Sequence, residues 1–529
     1  MKQNGTLRNI ISVTLWKSVG MGLSLVIALA IANLFGAGPA SDAFFLARRV
    51  VSNIAAAVER TFQFLQVPPL VRMAETQGLE VLARHLRKRS WQILLAAAVL
   101  CAAAFVFAPA ITRLLAPGFS AEQHGSATVY LRVLLAVLPL SAATALSGAV
   151  LNALRMFRLP VIARLLPRAC AAVTLALVPV FAFGLGAVAL AIAAGTVVMA
   201  VFFGICIRRA LAQDWQAQNW QPDPDRKNSS SQLPYSRSRV WAMLLAQFHL
   251  FGAGWIDMAM ASLTGAGSVA TLEFAQRMTN MAPGVVTSSV IIVYYTEFAS
   301  HLARGRQEAF RKSMQDAMRA TLLFVMPAAV VLFMLNRPAV SVLLGHGAFE
   351  PWAVQQTASI IALLAPLLVV NALVGTLASA LFADPGVPHL KIVATSIAAA
   401  LAVRLSLNWL LLPVYGVLAV PFASLCAITV MLLIFYLRLV QAFGAPVRLR
   451  EAGPFAAMAV AAAAAAAVIW LLQAAMAREM AGRLEMLSVA AVSALGGALA
   501  FAAVAAVLKV PEMERVRSAL RKAAGRGTA

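Results

Sequence analysis

The sequence predicts an all-α integral membrane protein with about fourteen transmembrane helices, arranged as two parallel six-helix lobes followed by two C-terminal helices. Three observations predict it. The 529 residues are 61% hydrophobic and only 12% charged, whereas a soluble domain is about half apolar and about a quarter charged. Apolar runs recur at the length a bilayer demands, roughly 20 residues for a hydrocarbon core about 30 Å thick. Lysines and arginines gather in alternate connections between those runs, as the positive-inside rule requires.

The first run, 11–34, follows Lys2 and Arg8. It is too long for a secretory leader and no small-residue cleavage site precedes the next span, so it is expected to be a retained helix. The next five runs, bounded by charges or by Gly and Pro, are 42–69, 91–112, 128–153, 160–183 and 185–207. Together they form an expected N-lobe over 1–207. A polar stretch, QPDPDRKNSSSQLPYSRSR, lies within 208–239 and reads as a flexible cytoplasmic linker. Six further runs, 240–263, 267–298, 317–336, 352–383, 391–412 and 415–437, form an expected C-lobe over 240–440. Runs at 454–475 and 485–508 make up a final pair within 441–508, and 509–529 is a basic cytoplasmic tail, read as a short interfacial helix or a disordered end.

With the N-terminus in the cytoplasm, most of the 43 Lys and Arg residues fall on that side. Arg84, Arg87, Lys88 and Arg89 share one loop, and Arg304, Arg306, Arg311 and Lys312 another. An even number of spans with both termini inside follows. The net charge of +23 is thereby explained by topology and by attraction to anionic lipid headgroups, and a nucleic-acid partner is not expected. Outer connections such as GAGPAS, FGLG, LTGAG and PVYG are too short to build an enzyme's active site. The six histidines are scattered, there is no G-x-x-x-x-G-K-[ST] phosphate loop, and all four cysteines sit in apolar runs. No metal, cofactor or disulfide is expected, and transport is not powered by a nucleotide bound to this chain.

Gly-Ala-Gly occurs at 36–38 and again at 265–267, each time opening the second span of a lobe. Even numbers of spans per lobe make this a parallel repeat, whose substrate lies between the halves. In the second span, Asp42, Arg49, Asn53, Ala56, Arg60 and Gln63 share one helical face. A central charge facing lipid costs about 2.5–3.5 kcal/mol even on the lenient insertion scale, so this stripe is expected to face protein or a wet cavity. Span 8 repeats the pattern with Glu273, Arg277 and Asn280. A kink is expected after it, at Pro283 and Gly284. Arg48 and Glu59 occupy a neighbouring face, and Lys17 lies early in span 1, in reach of the interface by snorkelling. Glu273 and Arg277 also suit a structural i,i+4 pair. Guanidinium forks facing a cleft suit a pyrophosphate. Outward movement of negative charge is downhill by about 2.3 kcal/mol per charge per 100 mV when the interior is negative.

FGAGPASDAFFLARR at 35–49, VERTFQFLQVPPLV at 58–71 and GSVATLEFAQRMTNMAPGVV at 267–286 resemble the lipid II flippase family (MurJ, also called MviN) of the multidrug/oligosaccharidyl-lipid/polysaccharide exporter superfamily. The resemblance implies a central cationic cavity, a lipid-tail groove formed by spans 13 and 14, and alternating access. It implies a partner, an undecaprenyl-pyrophosphate-linked glycan, carried from the inner to the outer leaflet of the bacterial cytoplasmic membrane. The chain departs from the pattern in its spans. Two arginines usual in span 1 fall at Met21 and Ile27, with Lys17 one turn away. The span 2 arginine falls near Ala55, between Arg49 and Arg60. The family's Ala-Asp-Arg in span 8 reads Ala275, Gln276, Arg277, and the acid three residues later is Asn280. An exopolysaccharide repeat unit thus stands beside lipid II as the expected cargo. Some family members resemble sodium-coupled carriers, and Asp257 and Asn408 fall where such a site is expected, with Arg404 one turn before Asn408 to replace the ion. Two other readings are an organic-cation antiporter, disfavoured because arginines outnumber acids in the spans, and a non-transporting scaffold.

Overall fold

The structure, a computed structural model, describes residues 2–514 apart from 77–78, 155, 211–236, 281–283, 385–387, 446–450 and 477–481. Every regular element among the described residues is helical. The chain forms two compact units, residues 1–270 and 271–529. Most of the expected linker, 208–239, and most of the basic tail lie outside the described residues.

The first unit runs through α1 (Lys2–Phe35), α2 (Pro39–Thr76), α3 (Leu79–Val106), α4 (Ala108–Leu115), α5 (Ala121–Ala136), α6 (Leu138–Ala153), α7 (Arg158–Ala163), α8 (Leu166–Phe181), α9 (Leu185–Ala210) and α10 (Arg237–Ser262). α10, which follows the expected linker, falls within the first compact unit. Its last turn is clamped there: the Gly118 amide donates to Ser262 Oγ at 3.2 Å, and a Cβ on Gly118 would lie 2.1 Å from the Ser262 carbonyl oxygen. The expected loop holding Arg84, Arg87, Lys88 and Arg89 is instead the first turns of α3. LEVLARHLRKR consists largely of strong helix formers, and nothing in it stops the helix short of the membrane. The expected fourth span is divided between α5 and α6, with Pro139 entering the first turn of α6. Ser120 and Gln123 close a reciprocal capping box at the head of α5, satisfying two orphan backbone donors.

The second unit holds most of α11 (Ser268–Asn280), then α12 (Gly284–Ala303), α13 (Gln307–Met334), α14 (Asn336–Leu343), α15 (Pro351–Ala383), α16 (His389–Tyr415), a 3-10 turn at Gly416–Leu418, α17 (Ala419–Phe443), α18 (Gly453–Met476) and α19 (Arg483–Val507). α11 ends and α12 begins on either side of the expected kink; Pro283 itself lies outside the described residues. α18 and α19 pack through small side chains: a Cβ on Gly497 would meet Ile469 at 2.5 Å. Lipid tails are as apolar as leucine, so close backbone approach, not water exclusion, drives such a pair together.

The protein is a multi-pass membrane protein. Ten stretches among the described residues are long and apolar enough to cross a bilayer, and one of them, 389–443, contains both α16 and α17. α2, α10 and α11 with α12 lie where the second, seventh and eighth spans are expected; they are helical but outside that apolar set. Large apolar side chains point outward, with Trp409 85%, Val180 74% and Leu100 71% exposed. So much outward apolar surface is at home in acyl chains, not in water.

Candidate functional site

The polar face of α2 is the first part of the site to build. Its head is structural. Asp42 has no exposed surface, and its carboxylate accepts hydrogen bonds from the backbone amides of Gly267 at 2.6 Å and Ala270 at 2.7 Å. It caps the first turn of α11, where unpaired N–H groups and the helix dipole favour an anion. The expectation that Asp42 lines a cavity is therefore corrected: its oxygens are committed to backbone 225 residues away. Two turns further on, Arg49 is half-buried and its guanidinium lies flat against α10. The position of a Cβ on Gly254 would be 2.7 Å from its Nη2, 3.1 Å from Nε and 3.2 Å from Cζ. A side chain at 254 would displace the guanidinium from this position. Arg48 and Asn53 are half-buried, while Arg60 and Lys17 are exposed. The side chain of Gln63 lies outside the described residues.

Glu59 does not stand as a free acid on that helix. It pairs with Arg164 at 2.8 Å, both side chains about a third exposed at 30% and 28%. One turn later in the chain, Arg168 Nη1 donates to the carbonyl of Gly20 on α1 at 3.3 Å. Neither arginine was singled out from the sequence. The signal that could have found them is two cations four residues apart inside an apolar run, where each intramembrane charge is costly. Of the two span 1 positions, Ile27 is fully buried and Met21, next to Gly20, is half-buried.

In the second unit, Arg277 pairs with Glu273 one turn earlier on α11: Nη2 lies 2.7 Å and Nε 2.8 Å from the same carboxylate oxygen. The carboxylate is the more enclosed partner, with its side chain 10% exposed against 20% for the arginine. Asn280, at the end of α11, is exposed. Arg404 and Asn408 on α16 are both buried, and Asn408 Nδ2 donates to the Arg404 carbonyl at 2.9 Å. Asp257, on α10 of the first unit, is also buried. Among the described residues no group of three or more His, Cys, Asp or Glu side chains is placed to hold a metal ion.

The model of the lipid II flippase MurJ family matches residues 31–490. The chain belongs to the MurJ family. Two relatives named as probable lipid II flippases MurJ illustrate the distance: one from Buchnera aphidicola subsp. Acyrthosiphon pisum, 28% identical over 128 residues, and one from Bdellovibrio bacteriovorus, 26% identical over 106 residues. The first alignment covers 24% of this chain and 25% of the relative; the second covers 20% of each. The chain thus aligns with a quarter or less of the length of these relatives. A solved structure of lipid II flippase MurJ in an inward closed conformation has the same fold, with a TM-score of 0.72 at 17% identity over 94% of this chain and 98% of that one. An inward-facing multidrug resistance transporter of the MATE family shares it less closely, at a TM-score of 0.64 and 14% identity over 83% of this chain and 98% of its own.

This MurJ family member also carries two ionic knots in its second unit, each centred on a buried arginine and neither apparent in the sequence. Arg311 at the head of α13 donates to Glu308 on its own helix at 2.7 Å and to Glu451 at 2.7 Å, just before α18. Two turns on, Arg319 pairs with Asp316 and, at 2.7 Å, with buried Glu512 beyond α19. Arg311, expected as a free topology charge in a cytoplasmic loop, is instead a buried anchor because two carboxylates neutralise it. The two glutamates fasten the C-terminal helix pair to α13 at both of its chain ends.

Proposed function

We propose that the protein is a flippase that moves an undecaprenyl-pyrophosphate-linked glycan from the inner to the outer leaflet of the bacterial cytoplasmic membrane by alternating access, with both termini cytoplasmic. The observation that carries this reading is the half-buried guanidinium of Arg49, seated on Gly254 in a chain of this family. A charged side chain inside a spanning helix marks a functional site by default, and the planar fork of a guanidinium matches the oxygens of a pyrophosphate. In this reading Arg49 and Arg277 bind the pyrophosphate. Asn53, Arg60, Arg48, Asn280 and Lys17 line its path, and Glu273 and Glu59 hold Arg277 and Arg164 in place. Arg168, beside Met21, supplies a cation to the part of α1 that lacks one. The buried guanidinium of Arg404, one turn before Asn408, stands in for a bound cation in this reading, so transport by the purified protein is expected to be insensitive to sodium; stimulation by sodium overturns that part.

An organic cation is a poor cargo for such a set of arginines, and the likeness to the MATE transporter is one of fold alone. The cargo itself is tested by replacing the essential lipid II flippase of a bacterial cell with this gene. Growth identifies lipid II as the cargo. Failure by a well-expressed, membrane-inserted protein assigns it to a different polyprenyl-linked glycan such as an exopolysaccharide repeat unit, and failure to move any such glycan refutes the proposal.

A further inference from the structure

A cavity of about 400 Å³ opens on the first unit between α2, α3 and α6. Four of its lining side chains are polar, His85, Arg89 and Gln92 on α3 and Gln66 on α2; the larger, apolar half of the lining includes Phe62, Ile93 and Ala96. The α3 residues are spaced four, three, one and three apart, which keeps them on one helical face, so a cationic end passes directly into an apolar groove. Arg89 is held toward Gln92 by a hydrogen bond of 3.2 Å and is exposed. The same helix carries exposed Arg84, Arg87 and Lys88 before this point, and exposed Trp91, Leu95, Val99 and Leu100 after it. A helix that changes from basic to apolar at a tryptophan crosses the headgroup layer there.

From this we infer that the cavity binds one anionic phospholipid of the inner leaflet, its phosphate on Arg89 and His85 and the start of an acyl chain along Phe62, Ile93 and Ala96. Charge selects the occupant: a basic pocket between spanning helices on the positively charged side recruits anionic headgroups. The apolar half selects a lipid over a soluble phosphate. This site is separate from the arginines assigned to the transported glycan.

The test uses the purified full-length protein in mild detergent, with retained lipid counted by native mass spectrometry after titration with phosphatidylglycerol or phosphatidylcholine. One phosphatidylglycerol is expected to be held at least tenfold more tightly than phosphatidylcholine. The double variant Arg89→Glu, His85→Glu is expected to lose that preference, and Arg87→Glu, off the cavity, to keep it. Ala96→Trp fills the groove from an exposed position without altering charge and is expected to weaken phosphatidylglycerol at least tenfold in a protein that melts normally. Excess glycerol phosphate is expected not to displace the lipid. Equal retention of the two lipids by the wild type, an undiminished preference in the double variant, or displacement by glycerol phosphate each overturns the inference.

Discussion

Gly254→Ala separates function from folding in this protein. The added Cβ would sit 2.7 Å from Arg49 Nη2, whereas ordinary contact is about 3.5 Å. The guanidinium must therefore retreat by about 0.8 Å. It is the end of a flexible side chain, so the retreat costs the fold little, and Ala is favoured over Gly in a helix interior by about 0.8–1.0 kcal/mol. Melting in detergent is expected to be unchanged or slightly higher. Transport is expected to fall about 10- to 100-fold, because a group misplaced by about 1 Å loses roughly that much where geometry sets the rate. Flux is read as the appearance of labelled polyprenyl-pyrophosphate glycan in the outer leaflet of proteoliposomes. Gly254→Val should lower it further. Wild-type flux in both variants would refute the placement of Arg49 at the site.

Three further expectations concern stability. Asp42→Ala removes two charge-assisted hydrogen bonds to buried amides, each worth about 1.5–3 kcal/mol, offset by relief of a buried carboxylate; a net loss of about 2–4 kcal/mol is expected in reversible unfolding, and no loss would mean the cap is idle. Glu512→Ala leaves Arg319 buried with Asp316 alone and is expected to cost about 2–4 kcal/mol, while Arg319→Met with Glu512→Leu together should recover most of it. Glu59→Gln and Arg164→Gln, combined in a double-mutant cycle, should give a coupling of only about 0.5–1 kcal/mol, because both side chains are partly solvated; a coupling near zero would mark the pair as incidental.

The membrane class and the family resemblance were legible in the sequence, because hydropathy and charge asymmetry act over single segments. The Arg277–Glu273 pair was legible for the same reason: an i,i+4 spacing fixes the geometry within one helix. Asp42 shows where this stops. Helical periodicity groups it with the polar stripe of α2, but its partners lie 225 and 228 residues away, and no local pattern names them. The anchors are alike in this. Arg311 meets Glu451 across 140 residues and Arg319 meets Glu512 across 193, so Arg311 read as a loop charge and Glu512 as part of a tail. Gly254 gave no signal at all, since a glycine in an apolar run has many uses and only the packed guanidinium reveals this one.

The most direct measurement is glycan flux by Arg49→Ala and Arg277→Ala, each in proteoliposomes, with membrane insertion and melting checked alongside. Loss of flux in both, by a protein that inserts and melts like the wild type, is the result expected if these two arginines hold the pyrophosphate. Full flux in both variants would contradict the account.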